Sequence, residues 1–146
     1  MVEMNNIKEI MDELARKKKE VDYTVKLPDA ELEVMIAVWN LKAPVTTSEL
    51  MDAVGKKRGW KAPTLISFLG RLETRGFLMS YKNGKERNYI PVAERSRYVG
   101  NVTKRFVETI HGGSFVRLLD SLFDGKEFSD SDIDELLIWL KKKNEK

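Results

Sequence analysis

Residues 63–91 read PTLISFLGRLETRGFLMSYKNGKERNYIP and contain the strongest local signals of secondary structure in the chain. Pro63 suits the first position of a helix, and Gly76 suits the position where that helix ends. The strand-like runs 77–82 and 85–91 flank Asn83-Gly84, a dipeptide that strongly favours a tight β-hairpin. The stretch therefore predicts one helix followed by a two-stranded hairpin.

Two more helices are predicted before this stretch. Pro28-Asp29 begins the first of them, which ends by Leu41 before a short extended link. Thr46 and Glu49 have the spacing of a capping box that opens the second helix, and Gly55 is predicted to close it. Residues 56–61 then form a basic turn. Residues 27–92 therefore read as three helices and a hairpin, the order of a winged helix-turn-helix domain.

The first 26 residues form a distinct N-terminal extension of helical and basic character. Asn5 and Asn6 are candidate caps for a short helix, which runs into Arg16-Lys17-Lys18-Lys19 without a Gly or Pro stop. A partly frayed extension and a docked amphipathic helix both fit this pattern. The apolar positions with helical spacing are Ile7, Ile10, Met11 and Leu14.

Residues 93–146 carry three further helical patterns. The first begins at Glu94 and breaks at Gly112-Gly113, the second ends at Gly125, and Ser129 caps the third. These stripes make no compact core of their own, so a second copy of the chain is the expected partner. The candidate dimerisation residues are Val99, Val102, Phe106, Ile110, Phe115, Leu118, Leu119, Leu122, Phe123, Ile133, Leu136, Leu137 and Leu140. The predicted fold is thus mainly α, a winged helix followed by a helical dimerisation region.

Composition excludes several classes of function. The chain has 146 residues, no cysteine and a single histidine. A disulfide framework, a thiolate zinc site and a cysteine nucleophile are excluded, and a histidine-dependent triad is disfavoured. We therefore predict no enzyme activity, metal or cofactor. Because no apolar run reaches the roughly 18 residues of a membrane span and no signal peptide is evident, the expected compartment is the cytoplasm.

Charge is unevenly distributed along the chain. Residues 56–87 contain nine basic and two acidic side chains, a local net charge of +7, whereas residues 112–136 have a net charge of −5. A basic block of this kind indicates a surface that meets a polyanion, with ordinary solvated surface as the alternative.

The basic block falls on the elements that a winged helix uses to bind DNA. In this motif the third helix enters the major groove, and cations of the hairpin contact flanking phosphates. Double-stranded operator DNA is therefore the expected partner. The candidate DNA-binding residues are Thr46, Thr47, Lys56, Lys57, Arg58, Trp60, Lys61, Thr64, Ile66, Ser67, Arg71, Lys82, Lys85 and Arg87.

An ordered set of short motifs runs along most of the chain: Leu32-x-x-Met35-x-x-x-Trp39, Trp60-x-x-x-Thr64, Leu69-x-Arg71-Leu72-x-x-x-Gly76-Phe77, Tyr89-x-Pro91 and Gly112-Gly113 followed by Leu118-Leu119. This set resembles a known family, the penicillinase and methicillin-resistance repressors (BlaI/MecI, with the copper-responsive CopY branch). The resemblance covers roughly residues 27–141. It implies a homodimeric transcriptional repressor that binds palindromic operators, and in some members a membrane sensor protease that triggers cleavage and release.

The chain also departs from that family pattern. Where the family commonly has Lys-Thr-x-Arg in the third helix, residues 63–66 are Pro-Thr-Leu-Ile, so only Thr64 carries over. The cysteine metal hook of the copper branch is absent. The Asn-Phe bond that is cut in staphylococcal members would fall at residues 121–123, which read Ser-Leu-Phe. Operator sequence and copper response are therefore not inherited from the resemblance, whereas induced cleavage, with a sensor protease as partner, stays open.

Two other functions fit the same pattern. A winged helix also serves as a protein-interaction module, which an exposed Ile66 on the third helix would favour. A ligand-sensing regulator would instead need a pocket at the base of the dimer, with Tyr98, Phe106, Phe115 and Trp139 as candidate lining residues, although these aromatics also suit a core.

Overall fold

The computed structural model describes residues 7–145, so the predicted caps Asn5 and Asn6 lie outside the described residues. Helices dominate, and three short strands form one antiparallel sheet in the order β1-β3-β2. In chain order the elements are α1 (Ile7–Lys18), α2 (Asp29–Asn40), β1 (Val45–Thr46), α3 (Thr47–Leu50), a π-helical turn (Met51–Gly55), α4 (Lys56–Arg58), α5 (Ala62–Thr74), β2 (Leu78–Asn83), β3 (Glu86–Pro91), α6 (Arg95–His111), α7 (Phe115–Asp124) and α8 (Asp130–Asn144). This order confirms the predicted winged helix.

The second helix of the motif is longer than predicted. α3, the π-helical turn and α4 follow one another without a break, and Gly55 has right-handed helical angles (φ −58°). Gly59, at φ +71°, is the residue that ends this helix, since the left-handed conformation costs glycine least. The prediction that Gly55 closes the helix is therefore wrong. A Cβ at Gly55 would lie 2.6 Å from Met51 Sδ, so glycine there provides space inside the π-helical turn.

The hairpin is confirmed, but its turn lies one residue later than predicted. Asn83 pairs with Glu86, so the two loop residues are Gly84 and Lys85. Gly84 has φ +67°, whereas Lys85 is not among the residues with positive φ. A positive φ at the first loop residue alone is typical of a type II′ turn, which matches the twist of the two strands.

The N-terminal extension is docked rather than frayed. Ile10 and Leu14 of α1 are buried in one cluster with Met79 and Val92. Because these side chains supply a ready apolar surface, the amphipathic stripe of α1 has a partner within the same chain. Of the two alternatives, a frayed extension and a docked helix, the structure shows the docked helix, packed against the winged helix.

The chain forms two compact units, and the boundary between them falls after Val102, inside α6. The sequence placed this boundary at residues 92 and 93. The first turns of α6 belong with the winged helix because Tyr98 is buried in its core and its hydroxyl accepts a hydrogen bond from the Leu27 amide at 3.0 Å. The other large side chains of this core are Leu27, Val34, Met35, Val38, Val45, Leu50, Leu65, Leu69, Leu72, Phe77, Leu78 and Tyr89.

A buried ion pair joins the start of α2 to the end of α5. Arg75 Nε donates to Glu31 Oε1 at 2.7 Å, and the side chains are 34% and 3% exposed respectively. The carboxylate is therefore far more deeply buried than its partner, which makes the pair asymmetric.

The second unit, from residue 103 onward, has little buried surface. Gly112 and Gly113 both have positive φ and end α6 as predicted. Ser129 caps α8 in a capping box with Asp132, and these hydrogen bonds lower the pKa of the Asp132 carboxyl. Neither α7 nor α8 has a buried residue. The exposed large apolar side chains of this unit are Phe106, Ile110, Phe115, Val116, Leu122, Phe123, Leu137, Ile138, Trp139 and Leu140.

Residues 7–145 contain neither a membrane-spanning helix nor a cluster of metal ligands. None of the helices there is both long enough and apolar enough to cross a membrane. In the same part of the chain, no group of three or more His, Asp or Glu side chains is placed to hold a metal ion.

The asymmetry of the Glu31–Arg75 pair gives a test of stability. We expect Arg75→Met to lower the free energy of unfolding by about 3 kcal/mol, because it leaves a buried carboxylate unpaired. Arg58→Met is the matched control, since Arg58 pairs with Glu33 in α2 at 2.9 Å but its side chain is 55% exposed; we expect a loss below about 1 kcal/mol. Urea unfolding followed by circular dichroism measures both. Equal losses in the two variants would contradict the assignment.

Candidate nucleic-acid interface

An open groove lies between the wing, which is the hairpin of β2 and β3, the start of α3 and α5. Its volume is about 390 Å³. It is framed in part by the pairing of β1 with β3, which sets Thr46 opposite Asn88. The lining residues are Thr46, Thr47, Ser48, Ile66, Lys82, Lys85, Glu86, Arg87 and Tyr89. Six of the predicted DNA-binding residues therefore meet at one groove, although their positions in the sequence are up to 41 apart.

The strand register determines which wing residues face the groove. Directly paired residues of an antiparallel sheet share a face, and successive residues along a strand face opposite sides. The pairs Ser80–Tyr89 and Lys82–Arg87 therefore share one face of the hairpin, whereas Met79 and Ile90 lie on the other. The groove is on the first face and α1 packs on the second.

Two cations oppose each other across the wing. Lys82 and Arg87 are direct cross-strand partners, an arrangement that destabilises a hairpin because like charges repel. Arg87 is half-buried and its Nη1 donates to Ser80 Oγ at 2.9 Å, which fixes the guanidinium in place. Lys85 adds a third cation at the tip, beside Glu86. An anionic ligand in the groove would relieve this repulsion.

The polar residues at the start of α3 also hold the domain together. Thr46 Oγ1 accepts from the Glu49 amide at 3.2 Å, and the Thr46 amide donates to Glu49 Oε1 at 3.0 Å, so the predicted capping box is present. The Thr47 side chain hydrogen-bonds the phenol of Tyr89, whose pKa is raised by burial and by the nearby Glu73 carboxylate. These contacts fix the first turn of α3 against β3.

α5 presents a face with few charges. Leu65, Leu69 and Leu72 are buried, so the residues between them in the helical repeat point outward. Ile66 is 50% exposed and lines the groove. Its exposed neighbours on the helix are Thr64, Ser67, Gly70 and Arg71. This surface offers hydroxyl and methyl groups and one guanidinium.

The basic residues before α5 fall into two groups. Lys56 pairs with Asp52 at 2.6 Å, and Arg58 pairs with Glu33 at 2.9 Å. Lys57 and Lys61 are exposed, with no ion-pair partner within residues 7–145. From the sequence alone, all four residues were predicted to be equivalent cations. The pairing of Arg58 could not be predicted, because it depends on an approach between α4 and α2 that no local pattern encodes.

Trp60 is mainly a packing residue. Its ring lies 4.9 Å from that of Phe68 between centroids, and the Arg58 guanidinium lies 5.8 Å from its ring centre. It packs against the core of the first unit. It lies outside the groove lining, as do Lys56, Lys57, Arg58, Lys61, Thr64, Ser67 and Arg71.

Three groove residues were absent from the candidate set, and one of them, Glu86, is an acidic residue beside the wing cations. Ser48 lines the groove beside Thr47, and Tyr89 fixes Thr47 from the wing. The hydroxyl run Thr46-Thr47-Ser48 was a usable signal for Ser48. Tyr89 gave no comparable signal, because its contact with Thr47 joins residues 42 positions apart.

The candidate dimerisation residues are mostly uncovered within a single chain. Val102 is the exception, since it packs partly against the core of the first unit. Val99, Phe106, Ile110, Phe115, Leu122, Phe123, Leu137 and Leu140 are exposed, and Leu118, Leu119, Ile133 and Leu136 are half-buried. Tyr98 is unavailable to the ligand pocket considered above, because it is buried with its hydroxyl engaged.

The chain was compared with known proteins. The family described as penicillinase repressor matches residues 27–142. The methicillin resistance regulatory protein MecI of Mammaliicoccus sciuri is 27% identical over 120 residues, 82% of this chain and 97% of that protein. The penicillinase repressor of Bacillus licheniformis is 28% identical over 111 residues, 76% of this chain and 86% of that protein.

A solved structure is also similar in part. The solution structure of monomeric Bacillus licheniformis BlaI in complex with the blaP half-operator covers 51% of this chain and 89% of that chain, with 32% identity and a TM-score of 0.44. The family match spans most of the chain and includes every element from α2 to α7. This winged-helix chain belongs to the penicillinase repressor family, a family of DNA-binding transcriptional repressors and not of enzymes.

Proposed function

We propose that this protein is a homodimeric repressor that binds palindromic operator DNA through α5 and the wing, in the cytoplasm. The observation that carries the proposal is the groove, where Lys82, Lys85 and Arg87 converge on the start of α3 and on Ile66. Family membership supports it, and so do the names of the relatives, a penicillinase repressor and a methicillin resistance regulator.

The two sides of the groove have different roles in this proposal. The wing cations contact phosphates, which supplies affinity without regard to sequence. α5 enters the major groove with its N-terminal turn first, where Thr64 and Ser67 reach base edges. Ile66 supplies apolar contact with a thymine methyl, the group that distinguishes thymine in that groove. With one guanidinium on this face, Arg71, the preferred half-site relies on methyl and hydroxyl contacts more than on guanines.

Dimerisation falls to the second unit in this proposal. Eight large apolar side chains on α7 and α8 are exposed, more than the scattered single residues of an ordinary surface. Covering them with a second copy buries apolar area at roughly 25 cal/mol per Å². The resulting pair presents two winged helices, which matches the two half-sites of a palindrome.

Release by a sensor protease is not part of the proposal. Ser121-Leu122-Phe123 lies within α7, in helical conformation, and lacks the asparagine of the cleaved bond. Residues 121–123 therefore give no support for induction of this chain by cleavage at that position.

A second candidate function is a protein-interaction module, which the 50% exposure of Ile66 favours. Binding to heparin and to a generic duplex over a salt series separates the two candidates. Retention that weakens steeply with salt supports the repressor. Absence of duplex binding at low salt rejects the repressor and leaves the interaction module.

The wing provides the first prediction of this proposal. We expect Lys82→Ala and Lys85→Ala each to weaken binding to all duplexes alike and to lower the salt slope by about 1, because each removes one phosphate contact. Lys18→Ala is the matched control, since Lys18 belongs to α1 on the opposite face of the sheet. Fluorescence anisotropy at several salt concentrations measures the slopes. An unchanged slope in both wing variants would show that the wing does not contact phosphates.

The contact of Ile66 with thymine is tested by removing methyl groups from both partners. Replacing half-site thymines with deoxyuracil should cost the wild-type protein about 0.8 kcal/mol for each buried methyl. Ile66→Ala should bind the two duplexes equally and keep the wild-type salt slope, since no charge changes. A selected high-affinity duplex serves for both measurements. If wild type and Ile66→Ala lose the same affinity on the uracil duplex, Ile66 does not read thymine.

The dimer interface is tested by placing charges on the second unit. The double variant Phe115→Asp/Leu137→Asp should raise the dimer dissociation constant about 100-fold, because carboxylates would have to be buried among apolar side chains. Ile7→Asp is the control, since Ile7 is also highly exposed but lies on α1. Sedimentation equilibrium gives the constants. A double variant that remains as dimeric as the control would place the interface elsewhere.

A further inference from the structure

The N-terminal segment 7–27 lies almost entirely outside the family match, which begins at residue 27. Its structure is nevertheless integral to the first unit. Ile10 and Leu14 are buried against Met79 and Val92, with Tyr81 and Ile90 packed around them. Family membership accounts for the groove but not for this helix, so α1 needs its own explanation.

The surface that α1 covers is the back of the wing. Met79, Tyr81 and Ile90 lie on the hairpin face opposite Lys82 and Arg87, by the same alternation that positions the groove. A two-stranded hairpin that extends from a small sheet is marginally stable unless something packs against it. β1 has only two residues and pairs at Tyr89 and Asn88 alone, so it supports a short part of β3. α1 supplies the missing support.

The segment after α1 is fixed at a second place. The Tyr23 hydroxyl accepts from the Glu94 amide at 2.7 Å, at the start of α6. The guanidinium of Arg97 lies 4.2 Å from the centre of the Tyr23 ring. Residues 7–27 therefore connect the back of the wing to the first turn of α6, both within the first unit.

We propose that residues 7–27 are a wing brace, in which Ile10, Leu14 and Tyr23 are positioning residues that hold the wing cations in register with DNA phosphates. Lys82 and Arg87 repel each other across the strands, so the wing tip needs support from elsewhere. The brace supplies it from the face that DNA does not contact. Its effect on the wing stands by itself, and its effect on DNA rests on the function proposed above.

Hydrogen exchange of the full chain without DNA tests the effect on the wing. We expect Leu14→Asp to speed exchange of the wing amides, residues 81–87, at least about tenfold, because a charge under Met79 undocks α1. Met11→Asp is the matched control, since it adds the same charge to the same helix at a position that is 55% exposed. Amides of α5 should exchange as in wild type, which shows that the main core remains folded. Leu14→Ala, a milder change, should give a smaller effect of the same kind.

DNA binding tests the positioning role. Leu14→Asp should lower the salt slope by about 2, as loss of two phosphate contacts would. Added to a chain that already carries Lys82→Ala, Lys85→Ala and Arg87→Ala, it should cause less than about a twofold further loss, because the three wing contacts are already absent. A structural defect elsewhere in the domain would weaken both backgrounds equally.

The outcomes separate the brace from the proposed function. Unchanged wing exchange in Leu14→Asp overturns the brace. Faster exchange with equal losses of affinity in the two backgrounds overturns the positioning role. If wild type binds no duplex at low salt, the proposed function fails, while faster wing exchange in Leu14→Asp but not in Met11→Asp still supports a brace of the wing.

Discussion

The pairing register of β2 with β3 is the constraint on which the rest of the first unit depends. It places Leu78 and Tyr89 in the core, directs Lys82 and Arg87 into the groove on the same face, and leaves Met79 and Ile90 for α1. A shift by one residue would exchange the two faces, since side chains alternate along a strand. The cations would then lie against α1, and the apolar residues would face the groove. Fold and candidate site are therefore fixed by the same register.

Elements with strong local signals were predictable from the sequence. The capping boxes at Thr46 and Ser129, the break at Gly112-Gly113 and the hairpin depend on neighbouring residues, and all are present. Gly55 was misread because a glycine that provides space inside a helix resembles one that ends it. The hairpin turn shifted by one residue because both Asn83-Gly84 and Gly84-Lys85 suit a tight turn, and cross-strand pairing decides between them. Docking of α1 depends on Met79 and Val92, which lie 65 to 82 residues from Ile10 and Leu14, and helical periodicity cannot reveal it.

The sequence allowed the basic residues of the candidate site to be named, but not which of them are free of ion pairs within the described residues. Three residues of the predicted basic block, Lys82, Lys85 and Arg87, meet at the candidate groove. The members of the block nevertheless differ, because Glu33 and Asp52 already neutralise Arg58 and Lys56. An exposed ion pair is weak, so a polyanion competes for these cations, but it must first displace a carboxylate. Lys57 and Lys61 carry no such cost within the described residues. Tertiary contacts therefore determine how available each cation is to a polyanion, which the sequence alone does not show.

The small number of charges on α5 and the exposed apolar side chains of the second unit both bear on one requirement of the proposed repressor, a stable dimer. In the proposed repressor, a recognition face with a single guanidinium and a wing with three cations would give one winged helix few strong contacts with DNA, and much of its affinity would be lost at moderate salt. Two winged helices joined in a dimer convert the second contact into an intramolecular one, which multiplies affinity without a new contact on either face. That gain exists only if the joint between the copies is stable. In the proposed repressor, the exposed side chains of α7 and α8 supply it, because weak recognition by each half-site is tolerable only where the two halves seldom separate.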